Sequence, residues 1–189
     1  MDPILYNLND IYNKNILLLG RRASGKTQLL KKIINNLTFN KTYLVNICGI
    51  NNIDEELNLP TYSVNNFNEI YNDIMISKGK KLLIFENFQT VYTLIQEKFN
   101  DLFKDILINK TYHDITIILV SNNLQLRLDT ESLKSIDILF LSSVYFNINN
   151  FVNNLFNKNI CENIFENLIL KYIDNQKYLI FTKNLTYFY

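Results

Sequence analysis

The sequence predicts an α/β fold: a three-layer α/β/α sandwich around a mainly parallel central sheet, closed by a C-terminal β-hairpin. Three observations carry that expectation. Short apolar runs recur along the chain, these runs are continuous and do not alternate with polar residues, and segments with helical spacing lie between them. A continuous apolar run marks a strand covered on both faces, as in a parallel sheet flanked by helices. Strands alternating with helices favour the parallel arrangement.

Taken in order, the first strand is Ile16–Leu19, and a helix follows over Thr27–Leu37 with Leu29, Leu30, Ile33, Ile34 and Leu37 on one face. Tyr43–Ile47 reads as the second strand, Phe67–Ile76 as a shorter helix and Leu82–Phe85 as the third strand. The spacing of Leu94, Ile95, Phe99, Leu102, Phe103, Ile106 and Leu107 predicts one long helix over Val91–Ile108. Strands Ile115–Val120 and Ile138–Leu141 come next, then helices Ile148–Phe156 and Ile164–Tyr172. The tail KYLIFTKNLTYFY reads as two strands around Lys183 and Asn184. No repeat or linker interrupts the chain, and its 189 residues suit one domain spanning 1–189.

Composition narrows the classes of function. Apolar residues make up 48% and charged residues 20%, ordinary for a globular chain. The 31 asparagines fall between apolar segments, so they reflect codon bias and not a disordered tract. A net charge of +1 gives no bulk electrostatic grip on nucleic acid. Cys48 and Cys161 are isolated, which implies a reducing compartment and neither a disulfide nor a metal set. No apolar run reaches the length of a membrane span, and the start MDPILYNLND lacks the order of a signal peptide. The expectation is an intracellular protein without a membrane segment.

Two of only four glycines stand five positions apart in GRRASGKT: Gly20, Arg21, Arg22, Ala23, Ser24, Gly25, Lys26 and Thr27. This is a complete G-x-x-x-x-G-K-[ST] motif, preceded by a buried strand and followed by an amphipathic helix. Phosphate binding needs a concave row of main-chain N–H groups at a helix N-terminus, and glycine lets the backbone close around the anion. Lys26 is expected to reach the β- and γ-phosphates, and the Thr27 hydroxyl to coordinate Mg²⁺. A P-loop needs an acidic partner for the metal, and KKLLIFENF supplies Glu86 at the C-terminal end of a strand. Asn87 follows where many such ATPases carry a second carboxylate, and an amide cannot take a proton. Asn122, at the end of DITIILVSNN, is a candidate contact to the γ-phosphate or the attacking water, although turn chemistry accounts for it equally well.

Of three arginines, two lie in the P-loop, leaving Arg127 as the candidate arginine finger, with a surface role as its alternative and Lys134 as a cationic substitute. His113 is read as a packing or capping residue. GTPases are excluded because neither Gly49 nor Gly79 has an aspartate three residues before it and N-K-x-D is absent. Small-molecule kinases bring several arginines to the transferring phosphate, and an ABC-type ATPase carries an LSGGQ-like signature. This chain has neither.

The succession LLLGRRASGKT, KTYLVNICG, KKLLIFENF, INKTYHDITIILVSNN, LKSIDILFLSS and NINNFVNNLF resembles the DNA-packaging ATPases of large cytoplasmic DNA viruses, the poxvirus type, within the FtsK–HerA class of P-loop NTPases. It runs from about Asn15 to the last strand. The resemblance implies an ATP-binding, Mg²⁺-dependent hydrolase that moves double-stranded DNA into a capsid as a ring of identical subunits. A capsid or portal-like component as partner, and the host cytoplasm and virion as location, follow from it. In that alignment Glu86 takes the slot of a metal-binding aspartate, Asn87 that of a second acid and Asn122 that of a glutamine. Lys134 falls near an arginine. Two other readings stay open at this stage: a nucleotide-gated binding or scaffold protein with little hydrolysis, and a cellular AAA-like or helicase-type ATPase.

Overall fold

The computed structural model describes residues 7–47, 59–124, 126, 128–143, 147–157, 178–183 and 186–188. Eight strands form one sheet in the order β3-β2-β4-β5-β1-β6-β7-β8. They are β1 Asn15–Leu19, β2 Lys41–Asn46, β3 Thr61–Ser63, β4 Lys81–Phe85, β5 Ile115–Ser121, β6 Ile138–Leu141, β7 Leu179–Thr182 and β8 Thr186–Phe188. The first six run parallel, whereas β7 pairs antiparallel with β6 and β8 with β7. The terminal hairpin is therefore present, with Asn184 outside the described residues.

The helices are α1 Lys26–Asn36, α2 Phe67–Ile76, α3 Phe88–Lys98, α4 Asn100–Ile108, α5 Thr130–Lys134 and α6 Ile148–Phe156. Side chains alternate between the two faces of every strand. Ile16, Leu18, Ile84, Ile118 and Val120 pack with Leu29, Leu30 and Ile33 of α1 on one face. Leu17, Leu19, Leu83, Phe85, Ile117 and Leu119 pack with residues of α2, α3, α4 and α6 on the other. All five residues of β1 are buried, as are all seven of β5, which explains why these strands read as continuous apolar runs.

Three features depart from the sequence expectation. The long helix over Val91–Ile108 is two helices: α3 begins earlier, at Phe88, and the chain breaks at Phe99, with φ −138 and ψ 23. The break lets Phe99 and Phe103 both close on Phe67, at ring-centroid distances of 5.8 and 6.5 Å, and packing overrides helical continuity. The three-residue strand β3 and the five-residue helix α5 were not anticipated, both too short to show a period. The second strand ends at Asn46, leaving Ile47 beyond it. The helix expected over Ile164–Tyr172 lies outside the described residues.

The start of β1 is fixed by Asn15, which is fully buried and donates from Nδ2 to Leu107 O at 2.8 Å and to Ser135 O at 3.0 Å. Its main-chain N–H donates to Asp137 Oδ2 at 2.8 Å. The strand that feeds the glycine loop is thereby locked to α4 and to the entry of β6.

Candidate nucleotide-binding site

At the C-terminal end of β1, Leu19 O accepts from the Ser142 N–H at 2.9 Å, and the Gly20 N–H donates to Ser121 O at 3.1 Å. The loop is thus pinned to both neighbouring strands, β6 and β5, before it turns. A Cβ on Gly20 would run into the hydroxyls of Ser142 and Ser24, so glycine is what lets the loop pass. Ser24 Oγ and Ser142 Oγ share a hydrogen bond of 2.7 Å, and the Arg21 N–H donates to Ser143 Oγ at 3.1 Å. The loop closes through left-handed Gly25, φ +88, which caps α1. The first N–H groups of α1 have no partner within the helix and, with the dipole, favour an anion.

Lys26 Nζ donates to Gly20 O at 2.6 Å and to Arg21 O at 2.7 Å. The side chain is buried. Burial pushes the ammonium down to about 8, because two carbonyl dipoles replace only part of the hydration a full charge loses. A buried cation at the N-terminus of α1 fits an anionic group.

Two cavities share Arg22, Ala23, Lys26 and Thr27 on their walls. The larger, about 590 Å³, is lined by Arg21 through Gln28 with Ser142, Ser143 and Tyr178. That volume lies in the usual range of about 300–1,000 Å³ for small-molecule sites. The smaller, about 170 Å³, adds Glu86, Asn87, Leu30, Val120 and Asn122. Glu86 lies two residues beyond Ile84, and Asn122 two beyond Val120, so alternation places both on the α1 face of the sheet. Glu86 is 8% exposed, and its main-chain N–H donates to Val45 O at 2.9 Å. Asn87 is left-handed, φ 49, and its Oδ1 accepts from Asn122 Nδ2 at 3.3 Å.

The donor set suits magnesium. Among the described residues no group of three or more His, Cys, Asp or Glu side chains could hold a metal unaided. Thr27 and Glu86 line the smaller cavity, and Mg²⁺ is typically held by one or two carboxylates with substrate phosphates and water. Among the described residues that line that cavity, Glu86 is the one carboxylate.

The structure therefore brings together Lys26, Thr27, Glu86, Asn87 and Asn122, with Arg21 to Gly25 beside them and Gly20 at the turn below. It does not bring Lys134 there. Lys134 ends α5, before the start of β6, at the opposite end of the sheet, where it lines a cavity with Asn154 and Lys183. Arg127 lies outside the described residues. His113 is buried beside Asp105, 3.4 Å away, far from the glycine loop and in the packing position expected of it. Sequence reasoning missed Ser142, Ser143 and Tyr178. The serines carried a signal, two polar residues ending an apolar strand. Tyr178 carried none, because only the antiparallel pairing of β7 with β6 brings it to this end of the sheet.

Neither a protein-family model nor a curated protein matches this sequence. Solved structures do match its fold. The genome packaging NTPase B204 from Sulfolobus turreted icosahedral virus 2, in complex with ATP-gammaS, superposes with a TM-score of 0.63 at 16% identity, covering 94% of this chain and 97% of that one. B204 from Sulfolobus turreted icosahedral virus, a DNA-packaging ATPase, gives 0.60 at 14% identity over 95% and 98%. The cytoplasmic domain of the Thermomonospora curvata type VII secretion ATPase EccC gives 0.57 at 12% identity, over 93% of this chain but 25% of that chain. The chain has the P-loop NTPase fold, in the form it shares with viral genome-packaging NTPases and secretion ATPases.

Proposed function

We propose that this chain is a Mg²⁺-dependent ATPase that acts as a motor, driving double-stranded viral DNA into a capsid as a ring of identical subunits. The observation that carries the proposal is the smaller cavity, where Lys26 and Thr27 of the glycine loop face Glu86 from a strand not adjacent to β1. The main-chain N–H groups at the start of α1 bind the phosphates, and Lys26 exchanges its two carbonyl partners for phosphate oxygens. Thr27 and Glu86 would hold a magnesium ion, which would supply neutralisation of charge on the transferring phosphoryl group. Asn87 and Asn122, paired by their amides at the cavity edge, orient the attacking water without taking its proton.

The B204 structures with ATP analogues support adenine nucleotide as the ligand, and B204's role in genome packaging supports DNA and a capsid or portal-like component as partners. A location in the host cytoplasm and the virion follows from that role. Among the described residues no helix is long and apolar enough to cross a membrane. In a ring, Lys134 or Arg127 would serve the nucleotide of a neighbouring subunit. The test is ATP turnover with and without double-stranded DNA. The wild type should be stimulated by DNA and Lys26→Ala should be inactive; turnover indifferent to DNA at every protein concentration would refute a motor.

A second reading, nucleotide-gated binding with little hydrolysis, draws on one observation. The slot beside Glu86 holds an amide already engaged by Asn122, and among the described residues no second carboxylate lines the cavity.

A further inference from the structure

The larger cavity ends on an aromatic residue that comes from outside the parallel part of the sheet. Tyr178 immediately precedes β7, and the pairing of Leu141 with Leu179 puts it level with Ser142, at the loop end of β6. It is 7% exposed, and its hydroxyl donates to Gly25 O at 2.5 Å. The same carbonyl accepts the Leu29 N–H at 3.1 Å, so both of its lone pairs are engaged.

Planarity turns this contact into control of the site. No described peptide bond is cis, so the Gly25 carbonyl and the Lys26 N–H lie at opposite ends of one rigid trans unit. With the carbonyl held along the helix, the Lys26 N–H points out of the N-terminus of α1, toward the cavity. Glycine at 25, at φ +88, is the residue least able to resist rotation of this unit by itself. A rotated unit would present a carbonyl oxygen to the anion. The tyrosine sits at the entry of a paired strand and not in a free loop, so its position is set by the sheet.

We propose that Tyr178 is a positioning residue of the glycine loop: its hydroxyl holds the Gly25 carbonyl so that the Lys26 N–H faces the phosphates. This rests on the nucleotide reading above. A hydrogen bond from the tyrosine also polarises the peptide unit and makes its N–H a better donor. The C-terminal antiparallel arm thereby becomes part of the nucleotide site, although it contributes no group to the chemistry.

The test compares the full-length wild type with Tyr178→Phe, Lys26→Ala and, as a control, Tyr43→Phe. Tyr43 donates its hydroxyl to Asp73 Oδ2 at 2.6 Å, away from the loop. Calorimetric affinity for Mg·ATP, the melting temperature of nucleotide-free protein and the amide resonance of Lys26 are measured for each. Tyr178→Phe should bind about tenfold more weakly, the scale of one hydrogen bond to a charged group, and should shift the Lys26 amide resonance without nucleotide. Tyr43→Phe should lose thermal stability yet keep its affinity. Wild type binding with Tyr178→Phe equally tight, or with an unmoved Lys26 resonance, overturns the positioning role alone. Wild type failing to bind Mg·ATP at all overturns the nucleotide reading and the role with it.

Discussion

Binding of Mg·ATP should take up a proton at mildly alkaline pH, and Lys26 should be the group that accepts it. The perturbation is pH itself. Burial holds the Lys26 ammonium at about 8 in the nucleotide-free protein, against 10.5 ordinarily. At pH 9 only about a tenth of free molecules then carry the charge, while phosphates beside the ammonium restore its ordinary value or raise it further. Uptake should be roughly 0.1 proton at pH 7, about 0.5 at pH 8 and about 0.9 at pH 9, and affinity should fall about tenfold from pH 7 to pH 9. Phosphate groups, with a second pKa of about 6, contribute little above pH 7.5. The assay is titration calorimetry in buffer pairs of different ionisation enthalpy, on wild type and Lys26→Met. Wild-type uptake that does not grow between pH 7.5 and 9, or that survives in Lys26→Met, would refute the reasoning. The sign for stability is the companion check. Because the folded value is depressed, the unfolded chain binds more protons between pH 8 and 10.5, so this residue makes nucleotide-free protein more stable as pH rises through that window.

Replacing Asn87 by Glu should raise ATP turnover by about tenfold or more, since a positioned general base is typically worth about 10²–10⁴ in rate; an unchanged rate would place the base elsewhere. Gly25→Ala strains a left-handed position and drives a Cβ to within 2.7 Å of the Tyr178 hydroxyl. It should cost roughly 1–3 kcal/mol in urea unfolding and abolish calorimetric binding. Asn15→Ala leaves the Leu107 and Ser135 carbonyls without the donor that ties β1 to α4. It should cost about 1–3 kcal/mol in the same assay. Lys134→Ala, at the far end of the sheet, should reduce DNA-stimulated turnover by at least about tenfold while leaving the affinity of isolated subunits unchanged. Lowered affinity would show that Lys134 acts on its own subunit.

The sequence by itself determined most of the strands and the glycine loop. The strands around Leu17, Leu83 and Ile117 are buried on both faces, and burial of that kind leaves an uninterrupted apolar run that any reading finds. The glycine loop was legible for a related reason: main-chain recognition of phosphate fixes glycines and a lysine at set spacings, so the chemistry is written locally. Glu86 and Asn122 were legible because each ends such a strand.

Tertiary structure decided the rest, where contacts join residues distant in sequence. Phe99 breaks a helix because Phe67, 32 positions earlier, packs against it in space, and nothing in the local period of Val91–Ile108 records that demand. Lys134 precedes β6 and Glu86 follows β4, and because these strands run parallel the one lies at the far end of the sheet and the other at the loop. Tyr178 meets Gly25 across 153 positions, through an antiparallel pairing whose register no local spacing encodes. Local physics wrote the glycine loop into the chain; long-range pairing chose what surrounds it.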